Sequence, residues 1–88
     1  MFRIWGKCFK DTRLVRDTVT SDSDYSKSRT KMVLDAVTGI CRTFDLAEPI
    51  WLNSNIEDFR LHNKTRFGQD SFIETLDFDY LEIEVIEE

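Results

Sequence analysis

Proline occurs once, at 49, histidine once, at 62, cysteine twice, at 8 and 41, and glycine three times, at 6, 39 and 68. Each scarcity removes a class of protein. Two cysteines without CxxC spacing exclude a disulfide scaffold and count against a structural zinc site. A single histidine excludes most histidine-based catalytic centres. Three glycines standing far apart cannot form a loop that cradles phosphate. No apolar run approaches the ~20 residues of a membrane-spanning helix. Met1–Lys10 is too short and too charged for a signal peptide, so a cytoplasmic location is expected.

What is present is aromatic and charged. Seven Phe, two Trp and two Tyr in 88 residues argue against disorder, because each ring buries a large area on folding. The length has room for one core, hence a single domain over residues 1–88. The net charge of −5 conceals a division. Residues 1–44 hold nine Lys/Arg against five Asp/Glu, whereas residues 45–88 hold three against twelve. Such a balance discourages direct contact with nucleic acid or anionic lipid. It suits a polar protein partner, head-to-tail self-association, or internal pairing of a basic hairpin with an acidic tail.

Phe2–Phe9 alternates, with Phe2, Ile4 and Cys8 on one face and Trp5 and Phe9 on the other; Leu14–Thr20 adds a second β-rich run. A hairpin is expected, with Gly6 at a bulge or a close backbone approach. Ser21–Ser28 reads as a loop leading to an N-cap somewhere between Asp22 and Ser28. Val33, Ala36, Val37, Ile40, Cys41 and Phe44 then recur at helical spacing. Gly39, within that helix, marks close packing or is merely tolerated. Asp45–Pro49 stops the helix and Ile50–Leu52 resembles a short strand. Ser54 and Glu57 fit a capping box opening a second short helix that buries Ile56 and Phe59. Phe78–Ile86 alternates again, with Leu81, Ile83 and Val85 opposite Tyr80, Glu82, Glu84 and Ile86.

This order predicts an α+β domain of β-grasp-like plan: a hairpin, a long helix across a mixed sheet, and a C-terminal strand parallel to the first. Such a strand would bring Glu82 and Glu84 beside Arg3 and Lys7.

Four candidate sites follow. Trp5, Phe9 and Tyr80 would form an exposed aromatic patch, rimmed by Arg3, Lys7, Glu82 and Glu84, if one sheet face is left uncovered; that composition belongs to protein-binding surfaces. The opposing expectation is that residues 53–76 wrap over that face. The carboxylates Asp77, Asp79, Glu82, Glu84, Glu87 and Glu88 could imitate a phosphate backbone, as in anti-CRISPR-like inhibitors of nucleic-acid enzymes. His62, Lys64 and Arg66 could bind an anion or small metabolite, or form a solvated loop. Cys8 and Cys41 are expected in the core, and Cys41 lacks in sequence the basic neighbour a catalytic thiol needs. No catalytic residue, metal ligand or cofactor is expected.

Four stretches, Phe2–Lys7 (FRIWGK), Phe44–Leu52 (FDLAEPIWL), Lys64–Glu74 (KTRFGQDSFIE) and Phe78–Glu88 (FDYLEIEVIEE), resemble a small family of single-domain clostridial proteins with no assigned activity. The resemblance implies a stand-alone bacterial cytosolic protein and transfers no catalytic residue. The sequence as a whole therefore points to a non-catalytic module that binds another protein, with a homodimer through an unpaired strand edge left open.

Overall fold

The computed structural model describes residues 1–88. Its elements are β1 (Phe2–Lys10), β2 (Arg13–Asp22), α1 (Arg29–Thr43), α2 (Asn53–His62), β3 (Lys64–Phe67) and β4 (Tyr80–Glu87), with one 3₁₀ turn at Gln69–Ser71. The fold class is α+β. The sheet has the order β2-β1-β4-β3, and every pairing in it is antiparallel.

The hairpin closes through Asp11 and Thr12, whose φ values of 52° and 64° are both left-handed. Two such residues make the tight turn whose twist matches the flanking strands. Asp11 suits the position, whereas β-branched Thr12 is strained there. Asp79 ties the turn to the far end of the chain, its Oδ2 accepting the Asp11 N–H at 2.9 Å.

Helix α1 begins where Ser28 Oγ accepts the Lys31 N–H. Its inward stripe is the expected one, Val33, Ala36, Val37, Ile40, Cys41 and Phe44, joined by Met32. It shares one core with Phe2, Ile4 and Cys8 of β1 and with Leu81 and Ile83 of β4. At Gly6 helix and sheet approach closely: a Cβ there would stand 2.6 Å from Ile40 Cγ2. Gly39 has only an ordinary contact, 3.5 Å from Thr20 Cγ2 to an added Cβ. Gly39 is thus tolerated, while Gly6 is required.

Three expectations are corrected. The sheet is not mixed, and β4 runs antiparallel to β1, so the β-grasp arrangement does not hold. The cause is β3, placed where the sequence suggested a polar loop. That extra pass along the sheet reverses the chain once more before β4. Ile50–Leu52 is not a strand: its backbone is tied to the 3₁₀ turn, Ile50 N–H donating to Ser71 O at 2.7 Å. Trp51 instead drops edge-on against Phe67 (5.0 Å) and Phe59 (5.7 Å). Finally, α2 turns Asn55 and Phe59 inward and leaves Ile56 exposed. Asn55, rather than a Ser54–Glu57 box, organises its first turn, with Oδ1 accepting from Leu52 N–H and Nδ2 donating to Thr65 Oγ1 and Arg66 O.

These contacts put α2 on the same side of the sheet as α1, since Thr65 and Phe67 lie opposite the core residues Ile83 and Leu81. Residues 53–76 do not wrap the other face.

Candidate functional site

The uncovered face is built from alternate residues of four strands. Opposite partners in the antiparallel ladders share a face, and their register places three rows there beyond an end row of Ser21, Arg3 and Glu87. The first is Val19, Trp5, Glu84 and Lys64; the second Asp17, Lys7, Glu82 and Arg66; the third Leu14, Phe9 and Tyr80. The second row alternates in sign from edge to edge.

Lys7 is its centre. Its Nζ lies 3.0 Å from Glu84 Oε1 and 3.3 Å from Glu82 Oε2, and 4.1 Å from the centre of the Trp5 ring. Arg66 reaches Glu82 from the other side at 3.4 Å and covers the Tyr80 ring at 4.7 Å. Tyr80 stacks on Phe9 with ring centres 5.2 Å apart. Trp5 is held at its polar end, Nε1–H donating to Asp17 Oδ2 at 2.9 Å. The side chains thus roof one another: Lys7 is only 8% exposed and Glu82 7%, on a face no helix covers. Burial, the largest single influence on Lys7, lowers its pKa. Its bonds to Glu84 and Glu82 outweigh that, and the net direction is upward.

The sequence-predicted residues are therefore brought together in part. Trp5, Phe9, Tyr80, Lys7, Glu82 and Glu84 form one cluster, and the aromatics are half-buried rather than fully exposed. Arg3 stands apart at the end of β1, paired with Glu87 at 3.6 Å. The basic hairpin and acidic tail do lie side by side, through antiparallel rather than parallel pairing.

The candidate anion site is not assembled. Lys64 and Arg66 belong to β3, His62 ends α2, and no hydrogen bond or ion pair links the three. Arg66 is committed to Glu82 and Tyr80. The acidic residues are also engaged internally. Asp77 pairs with Arg16, Glu87 with the N-terminus and Arg3, and Glu88 with Arg29. Asp79 accepts from Asp11, and Glu82 and Glu84 meet at Lys7.

Cys8 and Cys41 are core residues, at 0% and 1% exposure. Burial pushes both thiols up, Cys41 to about 12, and the nearby Arg16 offsets this at Cys8 only in part. That shift disfavours the thiolate, the nucleophilic form.

A second concavity was not foreseen from sequence. Between α1 and α2 lies an open groove of about 510 Å³ lined by Val33, Leu34, Trp51, Ile56 and Phe59, with Arg29 and Arg60 on its rim. Both arginines already have partners, Glu88 and Asn63 for Arg29 and Glu57 for Arg60. The signal in the sequence was Leu34, an apolar residue lying off the α1 stripe, whereas Ile56 was expected on the buried side of α2. No helix is long and apolar enough to cross a membrane.

No family model, curated protein or solved structure matches the chain.

Proposed function

We propose that the chain is a non-catalytic protein-binding module that engages its partner with the uncovered sheet face. The observation carrying this reading is the Trp5–Lys7–Glu82–Arg66–Tyr80 cluster. Trp and Tyr are the residues that anchor protein interfaces, and they bind best when their rotamers are fixed beforehand. Here Asp17 and Lys7 hold Trp5, and Phe9 and Arg66 hold Tyr80. The central row, Asp17–Lys7–Glu82–Arg66, carries equal numbers of positive and negative groups, so a partner gains apolar contact without meeting an unpaired charge. Arg3, Glu84 and Lys64 supply the polar periphery.

Two further readings have less support. A phosphate-mimicking inhibitor needs a row of free carboxylates, and the six candidates each have an internal cationic or N–H partner. A small-anion site at His62, Lys64 and Arg66 lacks any contact joining them.

The test is tagged capture from a bacterial lysate at low and at ~0.5 M salt, with Trp5→Ala and Tyr80→Ala beside the wild type. Each variant is first shown to be folded by circular dichroism. The reading expects a protein retained in salt and lost with both variants. A partner list unchanged by either substitution rejects it. A nucleic-acid enzyme released by salt and by Glu82→Lys/Glu84→Lys, but not by Trp5→Ala, points to the acidic mimic instead.

A further inference from the structure

The two outer edges of the sheet are treated very differently. Strand β3 has four residues, carries Lys64 and Arg66, and has its Arg66 carbonyl covered by Asn55. These are the ordinary ways of closing an edge to further pairing. Strand β2 has ten residues, with neither lysine nor proline. Its only strand partner is β1, and no backbone or side-chain hydrogen bond outside that ladder reaches a peptide group of Arg13–Asp22. Its one irregularity is a bulge at Val15, opposite Cys8 and Phe9. Residues 16–22 remain a regular, unpaired edge.

From this edge we infer that β2 pairs antiparallel with β2 of a second copy, centred on Val19, to give a symmetric dimer with one eight-stranded sheet. Opposed residues in an antiparallel ladder must share a face. In β2, Arg16, Thr18, Thr20 and Asp22 lie opposite the helix-side residues Cys8, Gly6, Ile4 and Phe2, whereas Asp17, Val19 and Ser21 lie on the uncovered face. The two-fold axis must therefore pass through a residue, not between two.

Charge then selects the residue. An axis at Asp17 opposes two aspartates directly and draws in the bulge, and an axis at Thr18 draws in the bulge as well. Centring on Val19 sets Arg16 against Asp22 of the other copy, twice by symmetry, with Thr18 against Thr20 and Asp17 against Ser21. Arg16 also meets Asp77 and Asp22 meets Lys27 within the chain, so each cross-strand pair would extend an ion pair already present. Val19, 40% exposed and next to Trp5, meets its own image. The stretch is self-complementary in charge, size and face in that register, and this singles out a second copy of the chain over an unrelated strand. The contact runs along the edge and shares Asp17 and Val19 with the uncovered face. Its readout is oligomeric mass, whereas the partner-binding reading is read by capture with Trp5→Ala and Tyr80→Ala.

The test is oligomeric mass by light scattering and sedimentation from ~10 µM to ~1 mM, since a single strand pair makes a small interface. The wild type is expected to show a concentration-dependent dimer. Arg16→Asp and Asp22→Arg each turn two attractive pairs into two repulsive ones and should weaken it by roughly tenfold or more. Mixed one to one, the two variants should form a heterodimer, because every opposed pair is attractive again. Arg16 also covers Phe44 and Phe78 and Asp22 holds Lys27, so a parallel set uses Val19→Lys and Val19→Glu, at a 40% exposed position on the axis beside Trp5. Each of these should be monomeric alone and dimeric when mixed. A wild type monomeric up to ~1 mM overturns the inference. So do single variants that dimerise as well as the wild type, or mixtures that stay monomeric. A different chain found seated on β2 also overturns it.

Discussion

Lys7 and Glu82 stand directly opposite each other on β1 and β4, nitrogen to oxygen 3.3 Å apart, both nearly buried on a sheet face that no helix covers. Their shielding comes from the side chains around them, chiefly Trp5, Tyr80 and Arg66. A charge so placed is tolerated only while its partners remain.

Lys7→Met should accordingly destabilise the fold by about 3 kcal/mol, because Glu82 is left buried with only the long contact to Arg66. Adding Glu82→Gln should recover part of the loss, which urea unfolding of the single and double variants would measure. Simple additivity of the two costs would show that the groups do not act as a pair.

The contact between Gly6 and Ile40 predicts a second coupling. Gly6→Ala forces its methyl into Ile40 and should cost about 1–3 kcal/mol. Ile40→Ala alone creates a cavity costing about 2–5 kcal/mol. Together they should cost less than the sum, because the added methyl occupies part of the vacated space. A Gly6→Ala variant as stable as wild type would mean that helix and sheet are not in close contact there.

Thr12 offers a gain. Its left-handed backbone is strained for a β-branched residue, and glycine adopts it freely. Thr12→Gly should stabilise by about 1 kcal/mol, raising Tm by roughly 4–8 °C. A fall in Tm would show that the turn has another geometry.

The buried thiols and Lys7 predict alkaline sensitivity. Unfolded thiols ionise near pH 8.5, whereas Cys41 in the fold holds its proton to about 12. Between those values the unfolded chain holds fewer protons than the native one, so stability falls as pH rises. The raised Lys7 adds stability that is fully present below about pH 10.4 and is lost as its folded pKa is passed. Stability should thus be insensitive to these groups at pH 6–8 and decline above about 9. Cys41→Ala, though less stable throughout, should show a shallower decline in urea midpoints measured from pH 7 to 11. An equal slope in both proteins would mean that the thiol ionises as readily folded as unfolded.

The sequence was most legible where periodicity and burial coincide. The α1 stripe, the hairpin and the β4 alternation are all present, because each depends on local pattern and one buried face. The N-cap, expected between Asp22 and Ser28, is Ser28, and β2 runs on through Ser21 and Asp22 of the expected loop. The direction of β4 was not legible, since it turns on whether four residues, Lys64–Phe67, pair as a strand. Two of those four are charged, as suits an edge, and nothing local separates such an edge strand from a loop. Likewise Ile56 and Asn55 exchanged their expected places. Asn55 is buried because it bonds Leu52 N–H at the helix start and Thr65 Oγ1 and Arg66 O on β3, a tertiary reward that hydrophobicity does not register. The aromatic cluster was recognised from alternation alone, but its closure over Lys7 required the register of all four strands.

The central claim is that the uncovered face is set in its binding shape before any partner arrives. The most direct measurement is ¹⁵N relaxation of the Trp5 indole Nε1–H, which donates to Asp17, in the free chain. The account predicts an order parameter near ~0.85, equal to rigid backbone, and a marked drop in Asp17→Ala. A value below about 0.6 in the wild type would mean that Trp5 is mobile, and would contradict the claim.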